Sequence, residues 1–600
     1  MNLVNRKFDV IIIGSGGAGL MAAISCLKSG IKNIAIISKV IPTLSHTVAA
    51  KGGINAALGN KTKDDWHWHA YDTIKSGDFI ADYDSVEHMC KAAPEAIYNL
   101  EKIGVAFARF DNGTIYQRPY GGQTTDFGNG DIAYRACSAK DDIGHSILHS
   151  LYSQCLKHNV IFFNEFFVTD LLVENQDICY GVAAIDLGEG AINIFESDVT
   201  IIASGGHSQI YKNTTSSSIC TGDGGAAILR AGLQLQDMEF VQFHPTGLYG
   251  SGLLITEAAR GEGGYLVNSV GQRFMEYYAP KSLDLASRDV VARAISTEIY
   301  RGYGCGKNKD YIHLVLSDLD KKLIMDKLPG VVKLAKSFAG IDATKDPIPV
   351  VPVAHYTMGG IPTNLNCEVT YFNGDFNQKE KIVAGLLAIG EAACASVHGA
   401  NRLGCNSLLD IVVFGDLSGK VASNLVGKQS KSRFAKQNKT PPVIINKAVN
   451  NIKDILAKEG EFDSVKIKAE LKKLTWQFAG VFRNKSLLED GLKQVQKLNL
   501  DFSATKVKNK SLFWNNELVE HFETQNLILQ SIATFASALF REESRGAHYR
   551  EDFQNRDDQN WLCHSLFSFN GDNFDLKRKP IRTKAIGESQ IVIKPEERKY

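Results

Sequence analysis

The chain has 600 residues, 44% of them hydrophobic, and its 67 basic and 66 acidic side chains leave a formal net charge of +1. This length and composition allow several domains with sizeable cores, and the balanced charge offers no electrostatic argument for a nucleic-acid partner. The eleven cysteines form no Cys-x-x-Cys pair, so we expect no iron–sulfur cluster, no disulfide framework and no bound metal in this chain. A reducing compartment fits this cysteine usage best.

The hydropathy of the chain predicts no membrane span of its own. No apolar run approaches the roughly 20 residues needed to cross a bilayer. The first predicted strand is reached at Phe8, without features of a signal or transit peptide. We therefore expect any membrane attachment to come through partner proteins.

The N-terminal segment predicts a βαβ unit that binds a dinucleotide. An apolar run from Phe8 to Ile13 indicates a buried parallel strand, and a helical stretch runs from Leu20 to Lys28. Between them lies a loop assigned to phosphate binding: Gly14, Ser15, Gly16, Gly17, Ala18 and Gly19. In such a loop the glycines permit a tight turn, close approach of a pyrophosphate and close helix packing, while the helix N-terminus supplies oriented N–H groups.

The second strand of this unit, Ile34 to Ile37, ends in an unusual way. Ser38 and Lys39 follow it, where an acidic residue usually binds the ribose hydroxyls of the dinucleotide. On spacing alone, this ending argues against a nicotinamide or flavin adenine dinucleotide.

The segment after the βαβ unit is more specific. His46 lies in SHTVAAKGGINAALGN, residues 45–60, which resembles the flavin-attachment segment of the succinate dehydrogenase flavoprotein family. In that family the matching histidine carries FAD covalently through the flavin 8α-methyl group. Further segments match the family in order: QRP at 117–119, GGQ at 121–123, TGDG at 221–224, QFHPTG at 242–247, TE at 256–257, RGEGG at 260–264, RDVVAR at 288–293, HYTMGGIPT at 355–363, GE at 390–391, HGANRLG at 398–404, NSLLD at 406–410 and RGAH at 545–548.

Some positions depart from the family pattern. Leu44 stands where an arginine is usual before the Ser-His pair, Ala258-Ala259 replaces a common Gly-Cys pair, and Cys405 replaces a glycine. Leu44 bears on flavin attachment because it precedes Ser45 and His46. The ending of the second strand is no departure, since family members commonly lack the acidic ribose ligand there.

The resemblance implies an FAD site and a dicarboxylate site. Besides the glycine loop, the FAD contacts carried over are Ser38, Lys39, Ser45, His46, Thr47, Lys51, Gly52, Gly53, Asp223, Glu391, Ser407 and Leu408. The substrate-binding positions carried over are His244, Thr256, His355 and Arg402. Arg402 suits one carboxylate, because its planar guanidinium matches both oxygens. Asp410 fits a helix-start or packing role as well as it fits a ligand role.

The family assigns proton transfer to an arginine that matches Arg288. An arginine with a pKa above about 12 is a poor base, so it must pass its own proton on as it accepts another. Glu257 and Arg260 resemble the family's relay and would supply that path. Three charges chosen blindly would be read as a surface ion-pair cluster, but the motifs around them favour the relay.

The resemblance implies a function in respiration. We expect the FAD-bearing catalytic subunit of succinate dehydrogenase (respiratory complex II), which oxidises succinate to fumarate in the tricarboxylic acid cycle. Electrons would pass to an iron–sulfur subunit and then, through membrane anchor subunits, to quinone. A fumarate reductase flavoprotein subunit is the alternative, and an L-aspartate oxidase is disfavoured by His46. A flavin-holding subunit without turnover is disfavoured by the joint presence of His244, Arg288, His355 and Arg402.

The predicted fold is an α/β FAD-binding Rossmann-like domain with an inserted α+β capping domain, followed by a helical domain and a small C-terminal domain. We place the FAD-binding domain at 1–240 and 351–420, the cap at 241–350, the helical domain at 440–540 and the C-terminal domain at 541–600. The basic stretch 428–439 is interpreted as a solvated linker, and helical spacing joins Leu471, Leu474, Phe478 and Val481. The basic tail 577–600 is expected to be surface or partner-facing.

The expected location follows from these partners. We place the chain peripherally on the cytoplasmic face of a bacterial inner membrane. The alternative is the matrix side of the mitochondrial inner membrane, if a transit peptide has been removed.

Overall fold

A computed structural model describes residues 2–139, 142–376, 378–433, 440–571, 573–584, 586–587 and 591–598. Its strands are β1 (Leu3–Ile13), β2 (Ile34–Ser38), β3 (Ile54–Asn55), β4 (Gln117–Thr124), β5 (Ile132–Cys137), β6 (Ile161–Asn164), β7 (Phe166–Glu174), β8 (Ile178–Asp186), β9 (Ala191–Ile202), β10 (Gln234–Gln236), β11 (Val241–Leu248), β12 (Tyr265–Val267), β13 (Ile312–Val315), β14 (Ile348–Thr357), β15 (Ile361–Pro362), β16 (Glu368–Tyr371), β17 (Lys381–Ala388), β18 (Ala393–Cys394), β19 (Cys563–Asn570) and β20 (Asn573–Pro580).

The helices are α1 (Gly17–Lys28), α2 (Trp66–Ser76), α3 (Tyr83–Lys102), α4 (Ile143–Lys157), α5 (Asp223–Arg230), α6 (Ala258–Gly261), α7 (Met275–Tyr278), α8 (Arg288–Tyr300), α9 (Lys321–Lys327), α10 (Pro329–Ala339), α11 (Asn406–Arg433), α12 (Pro442–Ala457), α13 (Ser464–Phe478), α14 (Lys485–Ser503), α15 (Asn516–Phe540) and α16 (Asp558–Trp561). Within the described ranges, no helix is long and apolar enough to cross a membrane.

The largest sheet has the order β16-β17-β8-β9-β1-β2-β6, with β7 paired to β8. Strand β1 is parallel to both β2 and β9, so the carboxyl ends of these strands meet at one edge of the sheet. Val10 to Ile13 are buried because α1, packed against α4 and α11, covers this part of the sheet. A near-continuous apolar run is the pattern expected of a parallel strand covered on both faces.

A second, antiparallel sheet has the order β11-β14-β13-β12. Helix α8 packs on β11, and apolar side chains such as Leu266, Val291 and Ile295 form a core separate from that of the large sheet. Strand β14 ends at Thr357 and returns the chain to the large sheet through β16 and β17. This unit therefore sits over the edge of the large sheet where the glycine loop lies.

The helical spacing predicted near residue 471 is confirmed. Leu471, Leu474 and Phe478 lie on α13 and are buried, whereas Val481 follows the end of that helix. Helices α13, α14 and α15 pack on one another.

The linker predicted over 428–439 is wrong in its first half. Helix α11 continues to Arg433, and residues 434–439 lie outside the described residues. Lysine, glutamine and arginine lose little side-chain freedom in a helix, so a polar composition does not separate an extended helix end from a linker.

The basic tail packs on the rest of the molecule instead of facing outward throughout. Ile586 and Ile593 are buried, and the Arg598 Nη2 atom lies 3.2 Å from Asp78 and 2.8 Å from Asp289. Positive composition alone could not reveal these pairs, because the carboxylates come from distant segments of the chain.

Candidate active site

One long cavity runs from the end of β2, over the glycine loop, to the antiparallel sheet. Gly19 and Arg260 lie outside its lining. All the other residues predicted for the two sites line it: Gly14, Ser15, Gly16, Gly17, Ala18, Ser38, Lys39, Ser45, His46, Thr47, Lys51, Gly52, Gly53, Asp223, His244, Thr256, Glu257, Arg288, His355, Glu391, Arg402, Ser407 and Leu408.

The glycine loop forms a cradle that side chains would fill. A Cβ atom on Gly14, where φ is +107°, would lie 2.3 Å from the Ala203 carbonyl oxygen, and one on Gly19 would lie 2.0 Å from the Gly14 oxygen. Gly19 thus acts through packing, behind the cavity wall. Helix α1 begins at Gly17, whose N–H donates to the Thr47 hydroxyl at 3.0 Å. Backbone N–H groups and a helix N-terminus at a cavity wall suit an anionic phosphate.

The end of β2 gains an acidic group from elsewhere in the chain. The Lys39 Nζ atom lies 2.8 Å from Asp223, which begins α5, and 2.7 Å from Glu523. Burial lowers the pKa of Lys39, but the two carboxylates outweigh it and hold this pKa above its usual value. Asp223 also lines the cavity, so it supplies the acid that the sequence of the second strand lacks.

His46 opens a short 3₁₀ turn, His46–Ala49, beside the glycine loop. Its Nδ1 accepts the Ser217 N–H at 3.2 Å, which leaves Nε2 as the ring nitrogen free for another contact. Burial lowers the pKa of His46 to about 4. The ring is therefore neutral at physiological pH. The hydroxyl of the neighbouring Ser45 is buried and has no hydrogen-bond partner.

The segment after this turn follows the cavity wall. Lys51 pairs with Asp142 at 2.5 Å and remains partly exposed. A Cβ atom on Gly52 would lie 2.4 Å from the Tyr120 hydroxyl, so a side chain here would displace Tyr120, which also lines the cavity.

Four polar residues converge at the far end of the cavity. The rings of His244 on β11 and His355 on β14 have centroids 5.0 Å apart, and the Thr256 hydroxyl lies 3.2 Å from that of Tyr120. Burial, reinforced by Arg288, holds the pKa of both histidines well below its usual range. They are therefore neutral hydrogen-bonding groups.

Arg402 stands beside these groups with spare hydrogen-bonding capacity. It donates to the Ser407 hydroxyl at 3.1 Å and stacks over the Tyr356 ring at 4.7 Å, but its buried Nε has no partner. Within the described part of the chain, no carboxylate lies within 4.0 Å of its guanidinium. Burial, followed by repulsion from Arg288, lowers the pKa of Arg402 to about 10.

The three residues predicted as a relay lie in line. The Arg288 Nε donates to the Glu257 carboxylate at 2.7 Å, and the same oxygen is 4.0 Å from the Arg260 guanidinium. Glu257 also accepts the Gly121 N–H at 2.9 Å. Burial raises the pKa of Glu257, but both arginines outweigh it and lower it overall. Arg260, behind the cavity wall, donates onward to the Asp284 carbonyl.

Sequence reasoning missed Gln242 as a site residue. Its side-chain oxygen accepts from Arg288 at 3.0 Å and from Arg402 at 3.2 Å. The available signal was the alternation of a strand, because Gln242 lies two residues before His244 on β11.

The middle of the cavity holds the remaining predicted contacts. Glu391 accepts the Thr357 N–H at 3.0 Å, and burial raises the pKa of Glu391 to about 7. Ser407 and Leu408 lie in the first turn of α11. Asp410 accepts a hydrogen bond from the Tyr356 hydroxyl and pairs with His398, both at 3.3 Å. It does not line the cavity, which favours the packing role over the ligand role.

The departures from the family pattern fall in different surroundings. Leu44 is 58% exposed and outside the cavity lining, while Ala258 and Ala259 are buried in the core of the antiparallel unit. Cys405 lines the cavity with φ at +67°, and burial raises the pKa of its thiol to about 12. The thiol is therefore protonated at physiological pH.

Comparison with family models gives two matches. A model described as FAD binding domain covers residues 9–408, and one described as fumarate reductase flavoprotein C-term covers residues 468–600.

Curated relatives match from end to end. The chain is 48% identical to the succinate dehydrogenase flavoprotein subunit of Rickettsia conorii, covering 100% of this chain and 99% of that one. It is 47% identical to the mitochondrial succinate dehydrogenase [ubiquinone] flavoprotein subunit of Oryza sativa, covering 100% of this chain and 94% of the relative.

A solved structure supports the same architecture. A chain of the E. coli quinol fumarate reductase superposes with a TM-score of 0.90 at 32% identity, covering 99% of each chain. Together with the family models, this match confirms the predicted fold class.

Proposed function

The chain belongs to the succinate dehydrogenase flavoprotein family and is an FAD-dependent oxidoreductase, and from this premise we propose how its site works. It oxidises succinate to fumarate, with FAD attached covalently through His46. The observation that carries this proposal is the convergence, in one cavity with His46, of Arg288, Arg402, His244 and His355 from separate segments.

The residues present fit an FAD. The cradle at Gly14 and Gly17 would hold the pyrophosphate, and Asp223, kept ionised by Lys39, would bind the ribose. When bound, FAD supplies the acceptor for the hydride that leaves succinate, and covalent attachment is expected to raise its potential enough for this weak reductant.

Two features of His46 support its role as the attachment residue. A neutral imidazole keeps a lone pair for bond formation, and the low pKa of His46 keeps the ring neutral. Because Nδ1 accepts the Ser217 N–H, the neutral ring carries its hydrogen on Nε2. Nε2 is the nitrogen we assign to the bond, and it would release this proton as the bond to the flavin forms.

The positive charge of the site selects a dianion. Arg402 would hold one carboxylate with its spare N–H groups, while His244, His355 and Thr256 orient the other. Neutral histidines donate and accept without adding charge, so the two arginines set the electrostatic attraction. Fixing both ends of the substrate places its central C–C bond for reaction.

Arg288 would take the proton that leaves the second carbon of succinate. Its Nε is bound to Glu257, so a proton gained on one side of the guanidinium can be released on the other. Glu257 and Arg260 would carry that proton away from the cavity. All three side chains are buried, so the path from the cavity runs through the protein interior.

We assign the direction of the reaction from the sequence identity of the chain to its relatives. The succinate dehydrogenase relatives are 47–48% identical, whereas the 8-methylmenaquinol:fumarate reductase flavoprotein subunit of Wolinella succinogenes is 38% identical over 99% of this chain. A fumarate reductase flavoprotein subunit is therefore kept as the second candidate.

The proposed partners are an iron–sulfur subunit, which takes the electrons, and membrane anchor subunits bound through it, with quinone reached indirectly. We place the assembly on the cytoplasmic face of a bacterial inner membrane, or on the matrix side of the mitochondrial inner membrane as the alternative.

The test is the mass of the chain after denaturation of the purified complex, with the mass of its His46 peptide. We expect one FAD on that peptide in wild type and in His145→Ala, a control at an exposed histidine, but none in His46→Ser. His46→Ser should keep fumarate reduction better than succinate oxidation. A wild-type chain that binds FAD without any adduct would overturn covalent attachment.

A further inference from the structure

Gln242 makes four hydrogen bonds and is completely buried. Its oxygen accepts from Arg288 at 3.0 Å and from Arg402 at 3.2 Å. Its nitrogen donates to the Asn401 side-chain oxygen at 2.8 Å and to the Arg402 carbonyl at 2.7 Å. Every polar group of this amide is therefore engaged with the arginine pair or with the chain that carries Arg402.

The orientation of the amide follows from its partners. A guanidinium can only donate, so the oxygen of Gln242 must face both arginines. The nitrogen then faces two acceptors, as it does here. A flipped amide would oppose donors to donors at two contacts, so this arrangement has one stable orientation.

The amide also joins two parts of the fold. Gln242 and Arg288 belong to the antiparallel unit, on β11 and α8, whereas Asn401 and Arg402 precede α11. Asn401 is tied in turn to the end of α2, where its nitrogen donates to the Ser76 carbonyl at 3.3 Å. Gln242 therefore joins two guanidinium groups that are otherwise held separately, Arg288 by Glu257 and Arg402 by Ser407.

We propose that Gln242 is a positioning residue that sets the proton-transferring Arg288 against the carboxylate-binding Arg402, and that its neutrality preserves the positive charge which attracts the dicarboxylate. This inference rests on the proposed function. It gives the amide two separable roles, one geometric and one electrostatic.

The two roles predict opposite effects for two substitutions. A carboxylate at position 242 would keep an acceptor for both arginines but cancel one positive charge, so binding of a dianion should weaken. Its second oxygen would also replace the donor to the Asn401 oxygen and the Arg402 carbonyl. A methionine has nearly the same shape and no strong acceptor, so the charge remains while both guanidinium groups lose their shared partner.

The experiment uses the purified complex with Gln242→Glu, Gln242→Met and a control, Gln234→Met. Gln234 is also buried, and it bonds only the backbone of Phe372, at 3.0 and 2.9 Å, away from the arginines. Affinity for malonate, an unreactive dicarboxylate, is read from the flavin spectrum. The kcat for succinate is measured separately, with its pH profile.

We expect Gln242→Glu to bind malonate at least about tenfold more weakly, because a like charge faces the ligand. We expect Gln242→Met to bind malonate as wild type does but to lose about 100-fold in kcat, because the reacting groups are misplaced. Gln234→Met should change neither quantity. Equal behaviour of all three variants, or the same loss of affinity in both Gln242 variants, would overturn the proposal.

Failure of the proposed function gives a different result. A wild-type complex that binds malonate but does not oxidise succinate would refute the function, and the malonate affinities alone would still decide the electrostatic role of Gln242. A wild-type complex that fails to bind malonate would overturn both.

Discussion

Two clusters of buried arginines in this molecule are balanced in opposite ways. At the proposed dicarboxylate site, Glu257 is the one carboxylate among the described residues that lies within 4.0 Å of Arg260 and Arg288, and Arg402 has none at that distance. At the junction of β19 with the rest of the fold, Arg541 alone lies 2.5 Å from Glu239 and 3.0 Å from Glu543.

The pKa values of Arg402 and Arg541 differ in the same way. Burial, reinforced by repulsion from Arg288, lowers the pKa of Arg402 to about 10. At the junction, burial also lowers the pKa of Arg541, but Glu239 and Glu543 outweigh it and raise the pKa above its usual value. Removing the cation from a buried cluster with matched charges destabilises the fold, whereas a cluster left short of anions is suited to bind an anion.

The largest expected effect is on turnover at the unbalanced cluster. Arg288→Ala should reduce succinate oxidation by about three orders of magnitude or more, since it removes the proton-transferring group. Steady-state assay of the purified complex measures this loss. Arg301→Ala, at the exposed end of α8, is the matched control and should retain full activity. Comparable activity in both variants would remove Arg288 from the mechanism.

The balanced cluster should respond in stability instead. Arg541→Met leaves Glu239 and Glu543 buried without their cation, so the free energy of unfolding should fall by about 3–5 kcal/mol. Thermal unfolding of the purified complex measures it. Arg578→Met, an exposed arginine on β20, should cost less than about 1 kcal/mol. If Arg541→Met melted with wild type, the matched charges at the junction would not be holding the fold.

Arg402→Met tests whether the unbalanced cluster contributes to ligand binding and not to stability. Malonate affinity should fall by about 100-fold, because a charge-assisted pair with the ligand is lost. The unfolding temperature should stay at or above that of wild type, since the change relieves repulsion from Arg288. A large loss of stability, with affinity kept, would contradict the idea of an unbalanced site.

The smallest effect concerns pH and the balanced cluster. Burial lowers the pKa of His564, but Asp237 at 2.7 Å and Asp82 at 3.3 Å outweigh it and raise this pKa from 6.5 to about 9. Its contribution to stability is therefore complete below pH 6.5 and is lost as the pH rises through about 9. Melting temperatures across this range should fall by a few degrees in wild type and less steeply in His564→Gln. Parallel slopes in the two proteins would rule out His564 as the titrating group.

The parts of the candidate site differ in how well the sequence predicts them. The glycine loop and the segment around His46 are continuous runs, so their local pattern predicts a phosphate cradle and a flavin site. The resemblance also named Arg288 and Arg402, although no spacing rule joins them. Gln242 was missed because its role depends on partners 46 and 160 residues away.

Other features of the structure also depend on contacts that the sequence does not show. The family resemblance predicts Asp223 as an FAD contact, but only the structure shows that Asp223 lies beside the end of β2, in a salt bridge with Lys39. Arg598 pairs with Asp78 and Asp289, which lie hundreds of residues earlier in the chain. The continuation of α11 through 428–433 depends on helix propagation, which a polar composition conceals.

The decisive measurement is succinate-dependent reduction of an artificial electron acceptor by the purified complex. If the site works as proposed, malonate inhibits this turnover competitively and Arg288→Ala abolishes it. A complex that holds FAD on His46 yet shows no succinate-dependent reduction would contradict the proposed function.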